Sequence, residues 1–199
     1  MHRLVLGMAV GFVALSLGRV TAATWEIDPS HTSVGFSISH MTVARVHGTF
    51  RDIKGSARGE VTDPAGAQIE AVIEVASVDT GNAKRDAHLR EPDFFDAARY
   101  PKMTFTSTRI EKVAEGRWNV AGDLTLHGVK REIVLDVEGP TAVVKDRDGN
   151  LHAGARATGR LDRRDFDLRW SKVLEAGGLV VGNDVDLVID VEAVQRPGG

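Results

Sequence analysis

Cysteine is absent from this chain of 199 residues. No disulfide can staple the fold and no thiol can carry a lipid anchor, so the structure stands on its buried core alone. A basic surplus is also missing. Lys and Arg total 25 against 28 Asp and Glu, a formal charge of −3. With no basic stripe and no interleaving of aromatic with basic residues, nucleic acid is excluded as the expected partner. Neither a G-x-S-x-G nucleophile elbow nor an H-E-x-x-H zinc helix occurs, which removes two common hydrolase designs. Beyond the N-terminus no segment is apolar enough to cross a membrane.

The N-terminus itself reads as a secretion signal. Arg3 supplies the positive start, Leu4 to Leu17 is uncharged and mostly apolar, and Val20-Thr21-Ala22-Ala23 offers small residues for cleavage after Ala22 or Ala23. The apolar run of about 14 residues falls short of the roughly 20 a spanning helix needs. The expected organisation is a signal peptide over 1–23, one domain over 24–195 and a loose tail over 196–199. The expected location is the periplasm.

What the mature part has in quantity is alternation. Val34, Phe36, Ile38 and His40 alternate with Ser33, Gly35, Ser37 and Ser39, and Ile69, Ala71, Ile73 and Val75 with Gln68, Glu70, Val72 and Glu74. Trp118, Val120, Gly122, Leu124 and Leu126 share a face, as do Ile133, Leu135 and Val137, and Val185, Leu187, Ile189 and Val191. A period of two with one apolar face marks antiparallel strands. About eight are expected, near 32–41, 45–60, 67–78, 102–113, 116–126, 130–139, 151–162 and 184–194. Turn chemistry links them at Asp63-Pro64-Ala65-Gly66, Glu115-Gly116, His127-Gly128 and Asp148-Gly149-Asn150. The second strand changes phase near Arg51-Asp52, which predicts a bulge that bends it.

One segment departs from this pattern. Ala83 to Ala98 predicts a helix capped by Thr80 or Asn82 and broken at Pro92, with one or both of Phe94 and Phe95 packing inward. A lone helix in a β chain suits a flap over one barrel end. The fold class is therefore all-β, with about eight antiparallel strands that suit a barrel and one short broken helix near one end.

Several motifs occur in order along the chain: Trp25-Glu26-Ile27-Asp28-Pro29-Ser30-His31-Thr32, Val46-His47-Gly48-Thr49-Phe50, Ser77-Val78-Asp79-Thr80, Arg85-Asp86-Ala87-His88-Leu89-Arg90, Asp93-Phe94-Phe95-Asp96, Gly122-Asp123-Leu124-Thr125-Leu126-His127-Gly128-Val129 and Arg163-Arg164-Asp165-Phe166. In these motifs the chain resembles the YceI-like family of exported lipid-binding proteins. One departure is Asp167, where the family usually has Gly, a residue that takes positive φ more readily. The resemblance implies a lipocalin-like antiparallel β-barrel whose apolar interior holds a long isoprenoid, such as a polyprenyl pyrophosphate or an isoprenoid quinone tail. With no catalytic motif in the chain, neither enzyme activity nor a cofactor is expected. Transient membrane contact and a homodimer stay open.

The residues offered for an apolar tunnel are Val34, Phe36, Ile38, Phe50, Ile73, Val75, Phe94, Phe95, Met103, Phe105, Trp118, Val120, Leu124 and Leu135. Pattern alone favours a solid core for this face; the resemblance favours a hollow one. Small inward residues (Gly35 or Gly48, Ala71, Gly122, Ala153, Ala155 and Ala157) also favour space. His40, Arg85, His88 and Arg90 are the head-group candidates, with surface pairing of Arg85 and Arg90 to Asp86, Glu91 or Asp93 as the competing role. His31, His40 and His47 match no standard zinc spacing, so no metal site is expected. The second functional reading is a secreted enzyme using a barrel-mouth His or Asp on an apolar substrate. Asp28, Ser30 and His31 form a suggestive trio, but closeness in sequence says nothing of triad geometry.

Overall fold

A computed structural model describes residues 23–61, 63–173 and 179–196. Apart from Ala23, the expected signal peptide lies outside the described residues, as does the expected tail after residue 196. Strands β1 (Thr24–Ile27), β2 (Ser33–His40), β3 (Ala44–Phe50), β4 (Ile53–Glu60), β5 (Asp63–Glu74) and β6 (Val78–Asp79) precede helix α1 (Ala83–Arg90). After it come β7 (Lys102–Ala114), β8 (Arg117–Leu126), β9 (Val129–Glu138), β10 (Val144–Lys145), β11 (Leu151–Asp162) and β12 (Val181–Gln195).

Neighbouring strands are antiparallel, and the β11–β12 pairing closes the sheet on itself. β1 and β2 lie in succession along β12, and β3 and β4 in succession along β2 and β1. Counted this way the wall is an eight-stranded barrel. The expected phase change at Arg51-Asp52 is a break: β3 ends at Phe50, β4 starts at Ile53, and both apolar residues stay buried. The bend lets one length of chain serve two parts of the wall without turning its apolar face outward. β11 and β12 pair along Leu151–Asp162, whereas β9 meets β11 only at Asp136, Val137 and Glu138.

The hairpin at His127-Gly128 is a two-residue turn with φ of 52° and 73°, closed by the Leu126–Val129 pair. Positive φ at both positions gives the twist that joins antiparallel strands without splaying them. The Asp63-Pro64-Ala65-Gly66 turn is corrected: these residues open β5, and Asp63 already pairs with Glu60. Turn composition misled because an exposed strand end tolerates Pro and Gly.

The helix expectation is corrected as well. α1 ends at Arg90, and residues 92–99 form successive turns rather than a second helical piece. Asn82 is the cap, its side chain accepting the Arg85 N–H at 3.0 Å. Past the helix, Asp96 takes positive φ of 46° and its carbonyl receives the N–H groups of Arg99 and Tyr100. The helix itself stops at Glu91, which precedes Pro92 and is extended at φ −74° and ψ 165°.

Candidate functional site

The inward strand faces leave a cavity of about 380 Å³ inside the barrel. Its wall is apolar almost throughout. Of the fourteen residues expected to line a tunnel, all but Val75 do so. Val75 is corrected: it is 1% exposed and packs with Val78 and Phe166 in a filled layer toward the α1 end. It lies in the 3₁₀ turn after β5, where the two-residue alternation no longer applies. Solid core and open cavity therefore coexist. Val75, Val78 and Phe166 fill space outside the cavity, while Phe50, Met103, Ile110 and Trp118 are buried in its wall.

The small residues divide into two kinds. Ala71, Ala153, Ala155 and Ala157 line the cavity and keep it open. Gly48 and Gly122 instead make room for aromatic rings: a Cβ on Gly48 would sit 2.4 Å from Phe36 Cζ, and one on Gly122 would sit 2.3 Å from Phe105 Cζ. A ring laid over a strand glycine covers bare backbone and fills the volume, so these glycines do not mark empty space. The wall also includes residues not singled out for the tunnel, among them Trp25, Ile53, Ile110 and Ile189. Ile189 was legible as part of the alternating β12 face. Trp25 was not, because β1 is too short to show a period.

The flap packs down through both phenylalanines. Phe95 meets Phe50 edge-on, with ring centroids 5.7 Å apart. Phe94 lies 4.9 Å from both His88 and Trp170, forming a three-ring group over that end. His88 also reaches Asp93 at 3.4 Å.

The guanidinium groups behave differently from either expectation. Arg85 donates to the Thr80 hydroxyl at 2.7 Å and the Thr80 carbonyl at 3.0 Å. Arg90 donates to the Ala76 carbonyl at 2.8 Å and the Val78 carbonyl at 2.9 Å. Both clamp the chain around β6 rather than pair with Asp86, Glu91 or Asp93. His40 stands at the end of β2, opposite Ala44 and Val181, and does not line the cavity.

Arg163 does line it and is 5% exposed. It donates to the carbonyls of Gly182 at 2.7 Å, Val181 at 3.4 Å and Leu168. Desolvation pulls its guanidinium below the ordinary value. Trp25 Nε1 is buried without a hydrogen-bond partner among the described residues, an available donor in the Trp25 side chain.

The Asp28, Ser30 and His31 trio is bonded through Asp28. Its carboxylate accepts the Ser30 backbone N–H at 2.8 Å and faces His31 Nδ1 at 2.9 Å. The hydrogen bond to His31 holds the Asp28 carboxyl below its usual value, and the same contact raises His31. Among the described residues no bond joins Ser30 to His31, so this is not a nucleophile–base arrangement.

A closed antiparallel barrel with an apolar hollow and a helical flap defines a lipocalin-like architecture. The sequence matches the YceI-like domain over residues 25–193. It is 34% identical to the protein YceI of Escherichia coli O157:H7, covering 98% of this chain and 100% of that one. Among solved structures, it is similar to the YceI protein of Campylobacter jejuni, with a TM-score of 0.67, 31% identity and coverage of 95% and 99% of the two chains. A polyisoprenoid binding domain from Saccharophagus degradans shares the fold at a TM-score of 0.62 and 20% identity, covering 88% and 99%. The chain belongs to the YceI-like family.

Proposed function

We propose that this protein binds a long isoprenoid lipid inside the barrel, in the periplasm, after removal of residues 1–23. It acts as a carrier or buffer rather than an enzyme. The observation that carries the reading is the apolar cavity of about 380 Å³. That size falls within the roughly 300–1,000 Å³ of small-molecule pockets. Each methylene buried there contributes about 0.8 kcal/mol before ordering and association costs are taken off. The alanines of β5 and β11 hold the walls apart, and the related fold of a polyisoprenoid binding domain supports the ligand class.

The polar head is assigned to the flap end. Arg85 and Arg90 have their donors engaged by backbone and side-chain oxygens of their own chain. Of the head-group candidates this leaves His88, which lies outside the cavity lining, beside Phe94 and Trp170 at the flap.

Native mass spectrometry and organic extraction of protein purified from a lipid-rich host test this reading. The expected result is a co-purifying isoprenoid, with uptake of added polyprenyl alcohol or pyrophosphate by delipidated protein. Ala155→Leu, which projects a larger side chain into the space, should weaken uptake at least about tenfold, more than 1.4 kcal/mol, while the fold persists. Protein that is empty as purified and takes up no polyprenyl ligand overturns the proposal.

A further inference from the structure

The outer face of the barrel is laced with ion pairs. Asp186 is shared by Arg45 and Arg160, Asp190 meets Arg156, Asp136 meets Arg117, and Asp123 meets Lys130. At one place the pattern changes. Among the described residues Asp28, Glu192 and Asp146 pair with no Lys or Arg, only with imidazoles. The three carboxylates gather around His31 and His152, which come from opposite ends of the domain sequence.

The donor atoms of Asp28, His31 and Glu192 all lie within 4.8 Å of one another. His31 Nδ1 is 2.9 Å from Asp28 Oδ2 and 3.9 Å from Glu192 Oε1. A metal with ligands at about 2.0–2.2 Å places neighbouring donors roughly 3.3 Å apart, so the three need only small shifts to share one ion. The backbone already holds them in place. The Asp28 N–H donates to the Glu192 carbonyl at 2.9 Å, and the Glu192 N–H donates to the Thr32 hydroxyl at 3.2 Å.

A further layer of contacts orients the set. His152 Nδ1 faces Glu192 Oε1 at 2.8 Å, and its Nε2 faces Asp146 at 3.0 Å. Asp146 is itself held by the Asp148 N–H at 2.9 Å and by the Asn150 side chain at 2.7 Å. A ligand carboxylate steadied by a hydrogen-bonded neighbour, itself anchored to a carboxylate, is a common arrangement around protein metals. The His31 side chain is 64% exposed, which leaves the position open to solvent and to an arriving ion.

We propose that Asp28, His31 and Glu192 form a surface site for a divalent transition-metal ion of the zinc class, with His152 and Asp146 orienting Glu192. One imidazole and two carboxylates suit such an ion, with water completing its shell. The site lies on the outside of the wall and is independent of the cavity ligand. A bound ion would tie the β1–β2 corner to β12.

Zinc chloride titrated into chelator-stripped full-length protein, read by calorimetry and by competition with a chromogenic chelator, tests the site. One equivalent of zinc should bind. His31→Gln and Glu192→Gln should each weaken binding at least tenfold, and His31→Cys, which restores a soft ligand, should recover much of it. His47→Gln, a change at an exposed histidine outside the cluster, should leave binding unaltered. His31→Gln alters an exposed side chain, so its melting temperature without metal should match the parent and show that the loss is not unfolding. No zinc binding by the parent protein, or binding unchanged by His31→Gln and Glu192→Gln, overturns the proposal.

Discussion

Asp86 accepts two hydrogen bonds from a single residue: the Thr80 backbone N–H at 2.9 Å and the Thr80 hydroxyl at 2.5 Å. The carboxylate is 6% exposed, one of two buried charged residues among those described. It fastens the first turn of α1 to the end of β6, and Arg85 completes the knot through the same hydroxyl. The flap is thus held from its N-terminal side by polar bonds and from its far side by Phe95 against Phe50.

Asp86→Ala should therefore destabilise the protein by about 1–3 kcal/mol, since it strands the part-buried N–H and hydroxyl of Thr80. Hydrogen exchange should show the loss centred on α1 and β6, with β11 and β12 little changed. Uniform loss across the barrel would mean the flap is not a separable unit.

Gly122→Ala should cost about 1–3 kcal/mol, because the new methyl overlaps the Phe105 ring. Adding Phe105→Leu should remove part of that cost, the approach of the new carbon to the Thr106 carbonyl at 2.7 Å remaining. A double-mutant cycle by urea denaturation measures the coupling, and strict additivity would disprove the ring-over-glycine packing.

Asp167 occupies the left-handed region at φ 58° and ψ 17°, just past the 3₁₀ turn Arg163–Phe166. A side chain there is strained, and its salt bridge to Arg169 at 3.0 Å joins two exposed groups. Asp167→Gly should stabilise by about 0.5–1 kcal/mol, the relief of strain exceeding the added freedom of the unfolded chain. Thermal melts of the two proteins decide it; a lower melting temperature for the glycine form refutes the strain argument.

Arg164 beside Asp162 lowers that carboxyl from 3.8 to about 2. A depressed folded-state value stabilises the fold above the unfolded value, and that contribution is lost as pH falls from about 4 toward 2. Asp162→Asn should lower stability at neutral pH and flatten the acid dependence in that window. Denaturation midpoints at pH 7, 4 and 2.5 measure both, and parallel profiles would exclude Asp162 as a contributor.

The barrel was readable because its signal is local. Alternation in Val34 to Ile38 and in Trp118 to Leu126 needs only neighbouring residues, and the matching strands lie close to their expected spans. Eleven of the thirteen cavity residues were readable for the same reason, since a strand buries every second side chain, while Phe94 and Phe95 lie in the turns after α1 and showed only as adjacent aromatics. Val75 escaped because the chain leaves the strand one residue before it. The role of Gly122 was hidden because Phe105, which covers it, is on the neighbouring strand.

By itself, the order of apolar and polar residues determined that this chain forms a one-sided antiparallel sheet, and its motifs identified the family. Strand periodicity is written into adjacent positions, so no partner is needed to see it. Whether the enclosed volume stays hollow, which oxygens Arg85 and Arg90 reach, and that His31 meets Glu192 were decided only by tertiary structure. The hollow and the His31–Glu192 meeting depend on strands from opposite ends of the domain lying side by side, as β1 and β12 do, and the oxygens that Arg85 and Arg90 reach depend on how the flap folds back on β6.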